Sequence, residues 1–264
     1  MATLAKLLLY LTVTGLLMPI AAAQPREVIT LGAEDDAAPW SYADGSGYVN
    51  DLVRQAFSAM GWDVQLKVMP YARCKTLTLR GLLAGCFSAS KLTEYKDKLV
   101  YPQHPVFQAQ NVLLALADSP WKGCDSARWP SPPRVGTVRA YEYTPQLESL
   151  LASRNLIRHE VDSEISNLRK LEAKRIDAAV ITLDQVKRLE FLQALAHTSE
   201  PLKTVCDFGS QPAYVMFSKL HPQGPKAQTV FDAGMRRLDE SGALARLQDT
   251  WHKRALAGTS AKPH

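Results

Sequence analysis

After its first two dozen residues the chain has no apolar run long enough to cross a membrane as a helix, which argues against a multi-span membrane protein. It has no run of Lys or Arg either. Its 31 basic and 26 acidic side chains are dispersed, so no basic stripe for nucleic acid is expected. The 4 cysteines and 6 histidines never fall at C-x-x-C or H-x-x-x-H spacing, so no zinc site is expected. G-x-S-x-G and a Cys/His nucleophile context are also missing, and no internal repeat is evident.

What is present begins with a leader. Lys6 precedes an almost unbroken apolar run from Leu7 to Ile20, closed by Ala21, Ala22 and Ala23, the pattern of a secretory signal peptide over residues 1–23. An uncleaved N-terminal anchor is the alternative. No Cys follows the run, so a lipid anchor is not expected. Cleavage removes only Lys6 among the charged side chains, taking the net charge from +5 to +4. Export places the cysteines in an oxidising compartment, where they are candidates for disulfides.

The mature chain alternates strand and helix. Val28 to Ala33 reads as a buried strand, and apolar residues at Val49, Leu52, Val53, Ala56 and Phe57 recur at helical spacing. Trp62 to Met69 follows as a strand, Tyr71 to Leu83 as a helix, and Cys86 to Ala89 as a short strand. A long apolar run extends from Val106 to Ala117. After the irregular segment Asp118 to Pro133, a second alternation has strands at Arg134 to Val138, Arg158 to Val161 and Ile176 to Ile181. Helices are expected at Thr144 to Arg154, Ser163 to Lys174 and Leu183 to Leu195. The strand Ala213 to Phe217 and two helices close the chain. Such alternation predicts α/β architecture with a largely parallel sheet.

The order of these elements, with Ala38-Pro39-Trp40-Ser41, Gly47-Tyr48-Val49-Asn50-Asp51-Leu52, Leu82-Leu83-Ala84-Gly85, Arg134-Val135-Gly136, Arg175-Ile176-Asp177-Ala178-Ala179 and Leu247-Gln248-Asp249-Thr250-Trp251, resembles one family. It is that of the type II periplasmic binding proteins, the bacterial extracellular solute-binding proteins of family 3, which serve polar amino-acid uptake. The resemblance implies a two-lobed fold with two crossing strands and a ligand cleft between the lobes. The crossings are expected near Ala115 to Ala117 and Ser210 to Tyr214. The first lobe would be residues 24–116 plus 210–264, and the second lobe 117–209.

The family's ligand set transfers only in part. Ser88 and Ser90 fall where the family has hydroxyls, and strand alternation would put both on one face; satisfying backbone groups is their other role. The carboxylate-binding Arg falls on Tyr95, which cannot make a bidentate charged contact. Arg73, Lys91 or Arg139 would have to supply a cation. The acid that meets the ammonium falls on Thr182, with Asp184 two residues later; Asp184 equally suits a helix N-terminus. Trp40, Tyr71, Tyr141 and Tyr143 are candidates for stacking, and Glu34 for a cationic group. The two lost anchors argue against an ordinary α-amino acid as ligand.

The resemblance therefore implies a binding protein for a small polar or charged solute, with a membrane permease or membrane sensor as partner, no cofactor, and a monomeric state. An enzyme on this fold would draw on Glu34, Asp35, Glu142 and Asp184, which show no fixed catalytic spacing. With both expected crossings side by side, Cys124 and Cys206 are expected to pair. Cys74 and Cys86 flank a helix of about 12 to 15 Å, too far for a bond unless the helix is distorted, which leaves open whether they are free. Mass spectrometry of the exported protein should find Gln24 at the N-terminus; an intact Met1, or retention in washed membranes, would contradict the leader.

Overall fold

The computed structural model describes Arg26–Ser260, and the leader lies outside these residues. The elements in chain order are β1 (Glu27–Glu34), β2 (Asp36–Ala37), β3 (Ser41–Tyr42), α1 (Tyr48–Ser58), β4 (Trp62–Met69), α2 (Tyr71–Leu79), β5 (Gly85–Ala89), β6 (Leu99–Val100) and β7 (Phe107–Leu116). They continue as β8 (Arg134–Val138), α3 (Pro145–Leu151), β9 (Ile157–Val161), α4 (Glu164–Glu172), β10 (Ala178–Leu183), α5 (Leu189–Ala196), β11 (Leu202–Ser218), α6 (Gly224–Glu240) and α7 (Ala243–Ser260). The fold is a two-lobed α/β architecture.

Each half has its own hydrophobic core. In the first, β1 runs parallel to β4 and β5, and α1 buries Val49, Leu52, Val53, Ala56 and Phe57 against this sheet and α6. In the second, β8 lies parallel between β9 and β10. The strand β10 is buried along almost its whole length, as its unbroken apolar run requires when both sheet faces are covered.

The halves are joined through the antiparallel pair β7–β11. The long strand β11 pairs with β7 from Leu202 to Ala213 and with β5 from Tyr214 to Phe217. By Gln110, β7 has also acquired β10 as a neighbour. Only Phe107–Ala109 opposite Gln211–Ala213 is therefore flanked by neither half. Ala115, near which the resemblance puts the first crossing, is fully buried in the second core. The C-terminal helix also spans both halves, since Trp251 packs in the first core and Ala255 in the second.

Cys124 and Cys206 are joined, with Cα atoms 4.9 Å apart, tying the irregular segment to β11. Cys74 and Cys86 are joined as well, with Cα atoms 5.9 Å apart, far closer than the expected helix rise would place them. That expectation measured distance along a helix. The chain instead reverses after Leu79 and β5 doubles back along α2, so Cys86 lies beside the first turn of the helix. Gly32 on β1 makes room for this bridge, because a Cβ there would collide with Cys74 Sγ. Unreduced peptide mapping should recover both bridges, and replacing Cys124 and Cys206 by Ala should lower stability by about 2 to 5 kcal/mol in urea titration.

Candidate functional site

Groups from both halves converge where strands end. Glu34 closes β1, Tyr71 and Lys75 lie one turn apart at the start of α2, and Ser90 follows β5; Tyr141 and Glu142 follow β8, opposite them. Carboxyl ends of strands at the junction of two α/β units are where ligands bind in such sheets.

Glu142 is at the centre. Its Oε1 accepts from Lys75 Nζ at 2.6 Å, and its Oε2 accepts from Tyr71 Oη at 2.8 Å and from the Ser90 N–H at 3.4 Å. Gln211 on β11 donates to Ser90 Oγ at 2.8 Å and to the Glu142 carbonyl at 3.1 Å, fixing both sides. Burial pushes the Glu142 carboxyl upward, opposed chiefly by Lys75. Tyr141 meets Tyr71 edge-on, with centroids 5.4 Å apart, and its hydroxyl donates to Glu34 Oε1 at 2.7 Å. The other oxygen of Glu34 is buried without a hydrogen-bond partner among the described residues. Burial raises the Glu34 carboxyl to about 8, against the opposing Tyr141 hydrogen bond.

A second contact between the halves flanks the first. Trp40 Nε1 donates to Asp184 Oδ2 at 2.9 Å, while the indole stacks on Phe107 at 4.1 Å. Lys187 Nζ lies 3.8 Å over the Trp40 ring and pairs with Glu164, both side chains being nearly inaccessible. Asp184 Oδ1 accepts from the Val186 and Lys187 N–H groups, forming a turn. That side-chain-capped turn delays α5 to Leu189, six residues beyond the expected helix start.

The structure brings together Glu34, Trp40, Tyr71, Ser90, Tyr141 and Asp184 from the expected set. Others stand apart. Arg73 is exposed and has no side-chain hydrogen bond or ion pair among the described residues. Lys91 is exposed, its Nζ 4.3 Å over the Tyr214 ring, and Arg139 pairs with Asp162 at the surface. Tyr95 is half-buried beside Lys75, whose Nζ is 5.9 Å from its ring. Tyr143 lies in the second core, its hydroxyl accepting from the Val138 N–H, and Thr182 is held by Asn111 and Glu164. Ser88 adopts φ 70°, so strand alternation does not carry through it to Ser90. Lys75, Gln211 and the Glu164–Lys187 pair were not in the expected set. Lys75 had a signal, because it follows Tyr71 by four residues and so shares its helix face.

Two α/β lobes, a two-strand connection and polar and aromatic groups meeting between the lobes define the periplasmic-binding-protein class. The model of the bacterial extracellular solute-binding proteins, family 3, matches residues 29–254, and the chain belongs to this family. A histidine kinase sensor domain with similarity to periplasmic binding proteins superposes with TM-score 0.72 at 17% identity, over 86% of this chain and 96% of that one. The substrate-binding protein of an amino acid ABC transporter gives 0.69 at 16% identity, over 86% and 99%. The GluR0 ligand-binding core from Nostoc punctiforme in complex with L-glutamate gives 0.68 at 15% identity, over 84% and 98%. At these identities the likeness concerns the fold. No curated protein sequence matches the chain.

Glu34 gives the site a pH dependence. Its folded-state value of about 8 lies above the ordinary 4.5, so the stability it contributes is full below 4.5 and is lost as pH rises through 8. Melting temperature should fall with pH across this window, and Glu34→Gln should flatten the decline; parallel curves for the two proteins would refute this assignment.

Proposed function

We propose that the chain is a periplasmic receptor that holds a small polar or charged solute between its lobes and presents it to a membrane partner. One observation carries this: Tyr71, Lys75 and Ser90 of one lobe face Tyr141 and Glu142 of the other at hydrogen-bonding and ring-contact distances. Two bodies that meet through such a polar surface are suited to hinge closure on a ligand. We place the lobe boundary at Phe107–Ala109 and Gln211–Ala213, where β7 and β11 are flanked by neither half.

Lys75 takes the place of the missing guanidinium as the cation of the cleft. An ammonium is a point charge and does not grip a carboxylate in the planar, two-bonded manner of Arg. Ordinary α-amino acids therefore bind weakly. In this reading the chain binds and does not catalyse, in keeping with its family of solute-binding proteins. The receptor acts as a monomer, with no cofactor.

The partner is a permease in the first instance. Sensing is the second reading, favoured by the likeness to a kinase sensor domain; cross-linking in cells, followed by identification of the membrane protein captured, separates the two.

A thermal-shift screen of the mature chain against organic acids, modified amino acids and polyamines should yield a solute that raises the melting temperature. Lys75→Ala should then weaken its binding at least about tenfold, close to 1.4 kcal/mol, whereas Arg73→Ala should leave it nearly unchanged. Submicromolar binding of an ordinary L-amino acid that survives Lys75→Ala would overturn the assignment of the cleft.

A further inference from the structure

Three donors of the first lobe, Lys75 Nζ, Tyr71 Oη and the Ser90 N–H, point at one place, and a carboxylate is already there. It belongs to Glu142 of the second lobe, with contacts of 2.6, 2.8 and 3.4 Å. A positive charge, a hydroxyl and a backbone amide around two oxygens form a receptor for a carboxylate. The side chains of Lys75 and Glu142 are 17% and 10% exposed, so their pairing is sheltered from water and screened little by salt.

The loop that delivers Glu142 is shaped for this placement. Ala140 holds φ 63°, a left-handed conformation that a residue with a Cβ adopts only at a steric cost. Residues on either side of the turn are then committed: Arg139 to Asp162 at the surface, and Tyr141 to Glu34 inside the cleft. Gln211, on the strand that crosses between the lobes, ties the Glu142 carbonyl to Ser90 Oγ. The acid is thus held from its backbone as well as its carboxylate.

We propose that Glu142 is a built-in substitute for a ligand carboxylate, filling the receptor made by Lys75, Tyr71 and Ser90, so that the lobes close on the protein's own side chain and a solute must displace it. This rests on the reading of the chain as a solute receptor and names both the ligand class and its control. An entering carboxylate replaces Glu142 like for like and keeps Lys75 neutralised. A cationic ligand would leave Lys75 facing a second positive charge. Because the internal acid is tethered, it competes at a high effective concentration and lowers the apparent affinity for every external carboxylate.

The test compares full-length exported wild type with Glu142→Ala, using sodium acetate as the probe against sodium chloride at equal ionic strength. X-ray scattering should show wild type compact in both salts, Glu142→Ala expanded in chloride, and the variant compact again in acetate. Acetate at about tenfold over its dissociation constant should raise the melting temperature of Glu142→Ala by about 3 °C or more beyond its effect on wild type. Adding Lys75→Ala to that variant should abolish the response. Glu142→Gln, which keeps the size of the side chain and loses its charge, is the second variant should Glu142→Ala fail to fold; it too should expand in chloride. A compact Glu142→Ala or Glu142→Gln in chloride, or equal acetate effects on wild type and Glu142→Ala, would overturn the proposal. A solute found in the screen would leave the receptor reading standing even then, whereas acetate-driven closure supports the substitute even if no solute is found.

Discussion

The antiparallel pairing of β7 with β11 is the constraint from which the rest of the molecule follows. One strand of 17 residues serves two sheets in succession, pairing first with β7 and then with β5. Two register shifts against β7, between Thr204 and Cys206 and between Asp207 and Ser210, add local twist before the crossing. The two parallel β-α units therefore share a backbone connection but keep separate cores, and their strand ends are brought face to face. The Cys124–Cys206 bridge fastens the irregular segment to this same strand.

Across the junction, electrostatics and burial act together. Glu34 and Glu142 sit in surroundings that disfavour a bare carboxylate, and each is met by a group of the other lobe. Separating the lobes would return the acids to water and strand Tyr71 and Tyr141 at a wet surface; bringing them together demands that each oxygen find a partner. Glu34 Oε2 has none among the described residues, which makes it the weak point of the closed arrangement. Trp40 adds a third contact in which an indole serves at once as donor to Asp184, stacking partner of Phe107 and cushion for the Lys187 ammonium.

Much of the fold was legible in the chain because it rests on local periodicity. The helical spacing of Val49 to Phe57, the alternation of Trp62 to Met69 and the continuous apolar run before Leu183 each reflect one face, or two, that must be buried. Local periodicity fails where a side chain or a reversal redirects the backbone. Asp184 captured two amides and postponed α5, and the reversal after Leu79 brought Cys86 back to Cys74. The end of an apolar run likewise says nothing about which strands flank it, and β10 joins β7 from Gln110 only in the folded sheet.

In the candidate site the sequence by itself determined the inventory: the acids, tyrosines and serines after each strand. Residue types are local facts, and strand ends follow from periodicity. Which of them meet was decided by tertiary structure alone. The i, i+4 spacing puts Lys75 on the helix face of Tyr71, but nothing local says that this face turns inward: the packing of α2 leaves Arg73 in solvent and aims Lys75 at the cleft, and only the approach of the second lobe gives that ammonium the Glu142 carboxylate, 67 residues away in the chain.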